Sequence, residues 1–412
     1  MNSLIFFFYL ILFVVSLRNS KYAVMVFIAH LPILPLIHTN GTIPLKDYIT
    51  AITFYHLFIL DKKGNYNIVN IRFFKSLSIL LLVTAIITYI NDIKFILIHT
   101  GSLTSVPSHI LNAIIVVISI LNIIKIIIKS YSDTDFRKQV YLGFALSSSI
   151  LAVSLFFSKE LYELGFQISE EVAMSERPSG LFADGDCNGL AGFLCLSSAF
   201  ILLYNYLNKR NIPKSVIVIL LLNSSAILYT QSRMGFICLV ALLAYYTVFV
   251  SASSKRISSL IYVFLGIVIV LFVFSDLYLG VLERMQEGNV RNEINGDEGR
   301  SVIWGMYLEY MFASPQRNLL WGADKMIFDI VPHNYYIFTF FVSGVFTAII
   351  FIVTQLTVSI KCTKVLGVKY MFPLVTLTVV PLFFLTDSTI IYYYVLSVGL
   401  IGSLKIQTLN CK

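Results

Sequence analysis

Charge is scarce in this 412-residue chain: 13 % of its residues are Asp, Glu, Lys or Arg, while 58 % are hydrophobic. Soluble globular domains carry about 25 % charged and about 45–50 % apolar residues, so the composition excludes a soluble fold and defines a polytopic membrane protein. Nucleotide fingerprints are absent as well, with neither a GxGxxG nor a GxxxxGK[ST] run anywhere in the chain. The five cysteines, Cys187, Cys195, Cys238, Cys362 and Cys411, form no CxxC and no metal-ligand spacing. They read as small hydrophobes in or near apolar segments. No basic residue precedes the first apolar run, since Arg18 and Lys21 follow it. The expectation is an uncleaved first helix rather than a signal peptide.

What the chain has instead is one apolar segment after another. Candidate spans cover residues 3–17, 22–37, 47–60, 73–90, 109–128, 139–158, 187–207, 213–230, 234–251, 257–275, 333–354, 371–386 and 388–404. The expected fold is an all-α, polytopic helix bundle of about 12–13 spans, with residues 1–412 as a single transmembrane domain. The segment 47–60, which contains His56, is the weakest span. No internal repeat of the transporter kind is visible.

The formal charge of +8 resides in short loops rather than on a nucleic-acid-binding face, so no nucleic-acid partner is expected. Lys209, Arg210 and Lys214 share one connection, Lys255 and Arg256 a second, and Lys361, Lys364 and Lys369 a third, none with an acid. These alternate with two long acidic loops. Residues 159–186 hold seven acids and two bases, and residues 276–332 hold nine acids against four Arg and one Lys. The positive-inside bias puts the basic loops and the C-terminus in the cytoplasm, and both acidic loops outside. Arg18/Lys21, Lys62/Lys63/Arg72/Lys75 and Lys129/Arg137/Lys138 also fit the inside, which puts the N-terminus outside if thirteen spans is the count.

Four features face that outer side. Glu176-Arg177-Pro178-Ser179-Gly180-Leu181-Phe182 leads into Asp184-Gly185-Asp186-Cys187-Asn188-Gly189, and Gln231-Ser232-Arg233-Met234-Gly235 makes a tight turn. Gly299-Arg300-Ser301-Val302-Ile303-Trp304 lies in the large loop, and Pro332-His333-Asn334-Tyr335-Tyr336 returns the chain to the membrane. An isolated external arginine such as Arg233 reads most simply as a side chain snorkelling to the headgroups. Arg177 and Arg300 on the same side give a second reading, a seat for a lipid-linked pyrophosphate, because guanidinium forks pair bidentately with phosphate oxygens.

His333 follows Pro332 at a helix start, where the dipole favours a neutral ring able to accept a proton. The alternative is a capping or anchoring histidine. Asn334 could orient that ring or bind sugar hydroxyls. Asp184-Gly-Asp-Cys-Asn-Gly matches half of an EF-hand loop, but Cys195 stands where the bidentate Glu belongs. Asn188 and Gly189 read instead as the cap or first turn of a span. Residues 301–313 have helical apolar spacing and end at Ser314-Pro315, which reads as an interfacial amphipathic helix beginning just after Arg300.

This ordered set resembles the O-antigen ligase/polymerase superfamily of bacterial envelopes over roughly residues 175–350. The matching pieces are Arg177 with Ser179-Gly180-Leu181-Phe182 and Asn188, the turn Ser232-Arg233-Met234-Gly235, Arg300 with Trp304, and His333-Asn334. Ala183-Asp184-Gly185-Asp186 departs from the family's small turn and leaves the role of Asn188 less secure. The resemblance implies metal-independent glycosyl transfer at the periplasmic face of a bacterial inner membrane. The donor would be an undecaprenyl-pyrophosphate-linked glycan, held by Arg177, Arg233 and Arg300. The three arginines would also stabilise the leaving charge, with Arg300 counted as catalytic beside His333, the base, and Ser232, Asn188, Asn334 and Trp304 would support the site.

The acceptor would be a second lipid-linked repeat for an O-antigen polymerase, or lipid A core for an O-antigen ligase. The polymerase is the preferred reading, and a chain-length regulator is a candidate partner. A transporter or flippase of lipid-linked sugar is the rival of another class. It should show ionisable residues at mid-membrane and repeat symmetry, whereas nearly all charges here sit at span ends.

Overall fold

The computed structural model describes residues 3–33, 38–39, 43–61, 71–99, 106–166, 168, 170–174, 177–182, 186–209, 213–245, 300–313, 315–324, 327–328, 332, 334–366, 391–392 and 394–401. The expected spans 257–275 and 371–386, residues 276–299 of the large loop, Asp184 and His333 lie outside the described residues.

Fourteen helices are named among the described residues: α1 (Ser3–Arg18), α2 (Ser20–His30), α3 (Leu45–Phe54), α4 (Ile71–His99), α5 (Val106–Ser132), α6 (Thr134–Phe156), α7 (Ser158–Glu163), α8 (Glu170–Ala173), α9 (Cys187–Lys209), α10 (Lys214–Tyr229), α11 (Arg233–Tyr245), α12 (Arg300–Ala313), α13 (Pro315–Trp321) and α14 (Tyr335–Leu366). A π-helical turn, Tyr55–Leu60, continues α3, so the segment 47–60 is helical as expected. The described β-structure is a two-residue hairpin, His38–Thr39 against Ile43–Pro44, and an isolated bridge between Ile33 and Phe182. The fold is all-α.

Among the described residues, five helices are long and apolar enough to cross a membrane: Arg72–Asn91, Ala113–Ser132, Thr134–Phe156, Cys187–Asn205 and Tyr335–Thr363. Three shorter apolar helical segments, Asp47–Leu60, Lys214–Tyr229 and Arg233–Ala244, accompany them. The chain is therefore a multi-pass membrane protein.

Polar caps set the helix starts. Asn19 Oδ1 accepts from the amides of Lys21 (3.0 Å) and Tyr22 (3.1 Å), and Asp133 Oδ1 accepts from Phe136 N (2.9 Å). Each such cap contributes about 0.5–2 kcal/mol by satisfying a donor that the helix leaves open. Side-chain polar bonds then stitch the helices together. Asn223 Nδ2 donates to Ser198 Oγ (3.1 Å), Asn122 Nδ2 to the Thr50 carbonyl (3.0 Å), and Ser359 shares a 2.6 Å bond with Tyr394. In lipid such pairs add about 0.6 kcal/mol each to packing that is otherwise dispersive.

Charged contacts fix the helix directions. Lys94 near the end of α4 meets Val342 near the start of α14, while Lys361 near the end of α14 donates to Ser76 Oγ (2.6 Å) at the start of α4. These two helices are antiparallel. Lys21 pairs with Asp135 (3.2 Å) where α2 and α6 begin, and Ile33 and Leu181 mark the level at which both end. Lys129 pairs with Asp61 (2.7 Å) and reaches Ser20 (3.4 Å). Lys21, Arg72, Lys129 and Lys361 thus collect at one end of the bundle. The Arg177–Phe182 strap, the start of α9, the α10–α11 turn and the start of α14 collect at the other. One continuous apolar core runs from α2 through α14 to residues 391–401, and a smaller cluster of Tyr307, Met311, Ala323, Phe341 and Val342 joins α12 to α14.

Candidate functional site

At the end remote from those lysines, three helix termini meet under the strap Arg177–Phe182. Gly180 has φ 56°, and a Cβ there would lie 2.5 Å from Ser154 Oγ and 2.8 Å from Leu155 N. Only glycine permits both that backbone and that approach. Leu181 N donates to Ser154 Oγ (3.1 Å), and Ser179, Leu181 and Phe182 are buried. The strap is thereby laid flat on the end of α6.

Arg177 emerges from this strap. Its Nε donates to the Thr230 carbonyl (3.1 Å) and its Nη2 to Asn188 Oδ1 (3.3 Å). Thr230 closes α10, so the guanidinium sits at the negative end of that helix, a placement worth about 0.3–1 kcal/mol. Those bonds use two of the five N–H donors of an arginine. Asn188 lies in the first turn of α9 rather than at its cap. The cap is Asp186, whose Oδ1 accepts from Asn188 N (3.0 Å) and Asn188 Nδ2 (3.3 Å), and whose Oδ2 accepts from Gly189 N (3.1 Å). Of the two expected places for Asn188 and Gly189, cap or first turn, the structure has the first turn. A carboxylate accepts two backbone N–H bonds better than the amide two residues on. Asn188 is left as the link from that cap to Arg177.

One residue beyond Thr230 the chain turns sharply, with Gln231 at φ 50°. Ser232 caps α11, its Oγ accepting from Gly235 N (3.2 Å). Arg233 is the first residue of α11 and is exposed. Arg177, held on Thr230, and Arg233, three residues further along, thus flank the same turn although 56 positions separate them in sequence. A Cβ on Gly235 would come within 2.7 Å of the Ala191 Cβ, so α11 and α9 cross nearly backbone to backbone at this turn.

The second constellation is built on α12, which starts at Arg300, one residue before the expected 301, and ends at Ala313 as expected. The Arg300 side chain lies outside the described set. Trp304, about one turn along, donates its Nε1 hydrogen to the Pro332 carbonyl at 2.7 Å. That bond pins the start of α12 beside the point where the chain enters α14. Asn334 is buried and its Oδ1 accepts from Tyr336 N (3.0 Å) and Ile337 N (3.2 Å), so it is the N-cap of α14. Its oxygen is committed to the helix, which leaves the amide nitrogen as the group able to reach a ring or a sugar. His333 falls between Pro332 and Asn334. Tyr307 packs between Phe328 (4.8 Å between ring centroids) and Phe341 (4.6 Å), and burial pushes its hydroxyl up to about 12.

Arg177, Asn188, Ser232 and Arg233 therefore form one group, and Trp304, Arg300 and Asn334 a second. Both lie at the same end of the bundle, joined through its common apolar core. Among the described residues no group of His, Cys, Asp or Glu has the geometry of a metal site.

A third polar junction was missed in the sequence. Lys94, three residues beyond the span Arg72–Asn91, donates to the carbonyls of Trp321, Ala323 (3.4 Å) and Val342. The sign rule that singled out Arg233 applied equally to this lysine at the far end of an apolar run.

The fold and this arrangement define a multi-pass membrane protein with clustered arginines at one end of its bundle. Comparison with family models, curated proteins and solved structures gives no match at any level.

Proposed function

We propose that the chain is a glycosyltransferase that takes an undecaprenyl-pyrophosphate-linked oligosaccharide as donor and polymerises O-antigen, or a related surface polysaccharide, at the periplasmic face of a bacterial inner membrane. The observation that carries the reading is the convergence of Arg177 and Arg233 on one turn, at the end of the bundle that also presents the starts of α12 and α14. Two guanidinium groups at a membrane boundary are suited to the four-oxygen edge of a pyrophosphate, and their charge persists at every working pH.

In this reading an acceptor sugar hydroxyl attacks the anomeric carbon of the donor. The new bond joins acceptor oxygen to C1, and the bond from C1 to the pyrophosphate oxygen breaks. The hydroxyl proton passes to His333, and the charge left on the lipid pyrophosphate is stabilised by Arg177, Arg233 and Arg300. Trp304 acts by tying α12, and so Arg300, to the residue before His333. Metal chemistry has no part in the proposal.

The test is a set of chromosomal replacements, Arg233→Ala, Arg300→Ala and His333→Ala, read on gels of cell-surface lipopolysaccharide. Loss of polymerisation leaves core bearing a single repeat. Bare core with accumulating lipid-linked polymer identifies the ligase reaction instead. Unchanged ladders in all three stably expressed variants rule out the catalytic assignment, and transport of lipid-linked sugar then becomes the reading to pursue.

A further inference from the structure

The apolar run of α14 is interrupted at Gly344, where φ is 81° and ψ is 173°. A helix break leaves the carbonyls of the preceding turn without their i+4 amides. Inside an apolar span such groups must find other partners. The Phe341 carbonyl is taken by Ala323 N at 2.6 Å, and the Val342 carbonyl by the ammonium of Lys94. The same ammonium takes the Trp321 carbonyl, and the Ala323 carbonyl at 3.4 Å. An ammonium has three N–H donors and no acceptor, so three carbonyls from two chain segments match it one for one.

The two backbones touch at this point. A Cβ on Gly322 (φ 71°) would stand 2.3 Å from the Val342 oxygen, and a Cβ on Gly344 would stand 2.3 Å from the Leu320 oxygen. Both glycines occupy the left-handed half of the map, and neither position admits a side chain. Buried Asp324 adds attraction, while burial lowers the Lys94 amine to about 8.

The level of the junction follows from exposure. Up to Ser343 the buried positions of α14 include Tyr335, Thr339, Phe341 and Val342, whereas Phe346 (62 % exposed), Ile349, Ile350, Val353, Leu356 and Ile360 face outward. From Phe346 to Thr363 is about 27 Å at about 1.5 Å per residue, close to the hydrocarbon thickness of about 30 Å. The break therefore falls inside the apolar span Tyr335–Thr363, at the point where its outward-facing stretch begins.

We propose that Lys94 is a positioning residue: it clasps the loop after α13 to the break in α14 and so fixes α12, with Arg300 and Trp304, over the start of α14. Its consequence for transfer rests on the function proposed above, whereas the clasp itself does not. Among the described residues no other side chain donates to these carbonyls. Ala323 N satisfies a single carbonyl, and the loop would otherwise be held to α14 by the small apolar cluster alone.

The experiment is amide hydrogen exchange by mass spectrometry on the full-length protein in lipid nanodiscs, for the native chain, Lys94→Met and Lys94→Arg. In the native protein the Gly322 and Ala323 amides should exchange at least ~100-fold more slowly than that of Ile327, whose bond to Asp324 is local. Lys94→Met should raise exchange at residues 322–323 by about tenfold or more while α9 keeps its protection. Lys94→Arg, which keeps a charged head with several donors, should stay within about threefold of native.

Turnover on the lipid-linked donor should fall in Lys94→Met and return in Lys94→Arg. If even the native chain shows no turnover, the function reading fails while the exchange data still judge the clasp. Native exchange at 322–323 as fast as at Ile327, or a Met chain indistinguishable from native, overturns the proposal. So does an Arg chain that exchanges as fast as the Met chain. Should the Met chain fail to fold, the native comparison and the Arg chain decide it.

Discussion

Replacing Arg177 separates architecture from chemistry at the candidate site. Arg177→Ala removes the bonds from Nε to the Thr230 carbonyl (3.1 Å) and from Nη2 to Asn188 Oδ1 (3.3 Å). Hydrogen bonds with one charged partner contribute about 1.5–3 kcal/mol each, and the cation at the C-terminus of α10 adds about 0.3–1 kcal/mol. Because Arg177 is only half-buried, solvent competes, and the lower ends of those ranges apply. The expected loss is about 3 kcal/mol for Ala. For Lys, which keeps the charge but cannot bridge two acceptors with one nitrogen, it is about 1.5 kcal/mol. Thermal unfolding in detergent, followed by tryptophan fluorescence, should show drops on the order of 2–5 °C, Ala below Lys below native. A purely architectural arginine gives a Lys variant whose turnover follows its stability. The proposed pyrophosphate seat requires more, a fall of about 100-fold in turnover for a chain that remains folded at the assay temperature. An Ala variant with native stability and native turnover would refute both roles.

Other perturbations probe the same frame. Gly180→Ala would put a methyl 2.5 Å from Ser154 Oγ at positive φ, and should destabilise by about 2–4 kcal/mol, measured as loss of folded yield in detergent. The chain has two tryptophans, so Trp304→Phe leaves Trp321, 74 % exposed, as the sole reporter. Brominated lipids should quench it most when the bromine is near the headgroup, and no quenching at any depth would remove α13 from the interface. Lys94 should titrate near 8 in a pH profile of amine acetylation, and a midpoint above 10 would contradict its burial. The sign of the linked stability is fixed. The folded chain releases this proton near 8 while the unfolded chain holds it to 10.5, so this group's contribution to stability rises with pH across that window.

The membrane character was legible because it is written in composition, and the helix over residues 301–313 because its apolar spacing and Ser314-Pro315 stop are local. The tight turn at Ser232-Arg233 was legible for the same reason. What escaped depends on contacts between segments far apart in the chain. Residues 333–354 read as one continuous apolar run. Nothing local marks Gly344 as a break, since its conformation is imposed by Leu320 and Gly322 across the junction. Lys94 escaped because its three acceptors are main-chain carbonyls, invisible to any side-chain pattern. The motif around Arg177 was found, but its wording hid a division of labour. Gly180, Leu181 and Phe182 seat the strap on α6, Asp186 caps α9, and Asn188 sits in its first turn. The alternation of basic loops was informative about direction: Lys21, Arg72, Lys129 and Lys361 do gather at one end.

The most direct measurement is chain growth by the purified protein in nanodiscs supplied with an undecaprenyl-pyrophosphate-linked repeat unit and no added metal. The account predicts longer lipid-linked products with release of undecaprenyl pyrophosphate, at least ~100-fold slower in Arg233→Lys, where charge is kept and the bidentate fork is lost. Unelongated donor with the native chain, or equal rates for native and Arg233→Lys, would contradict it.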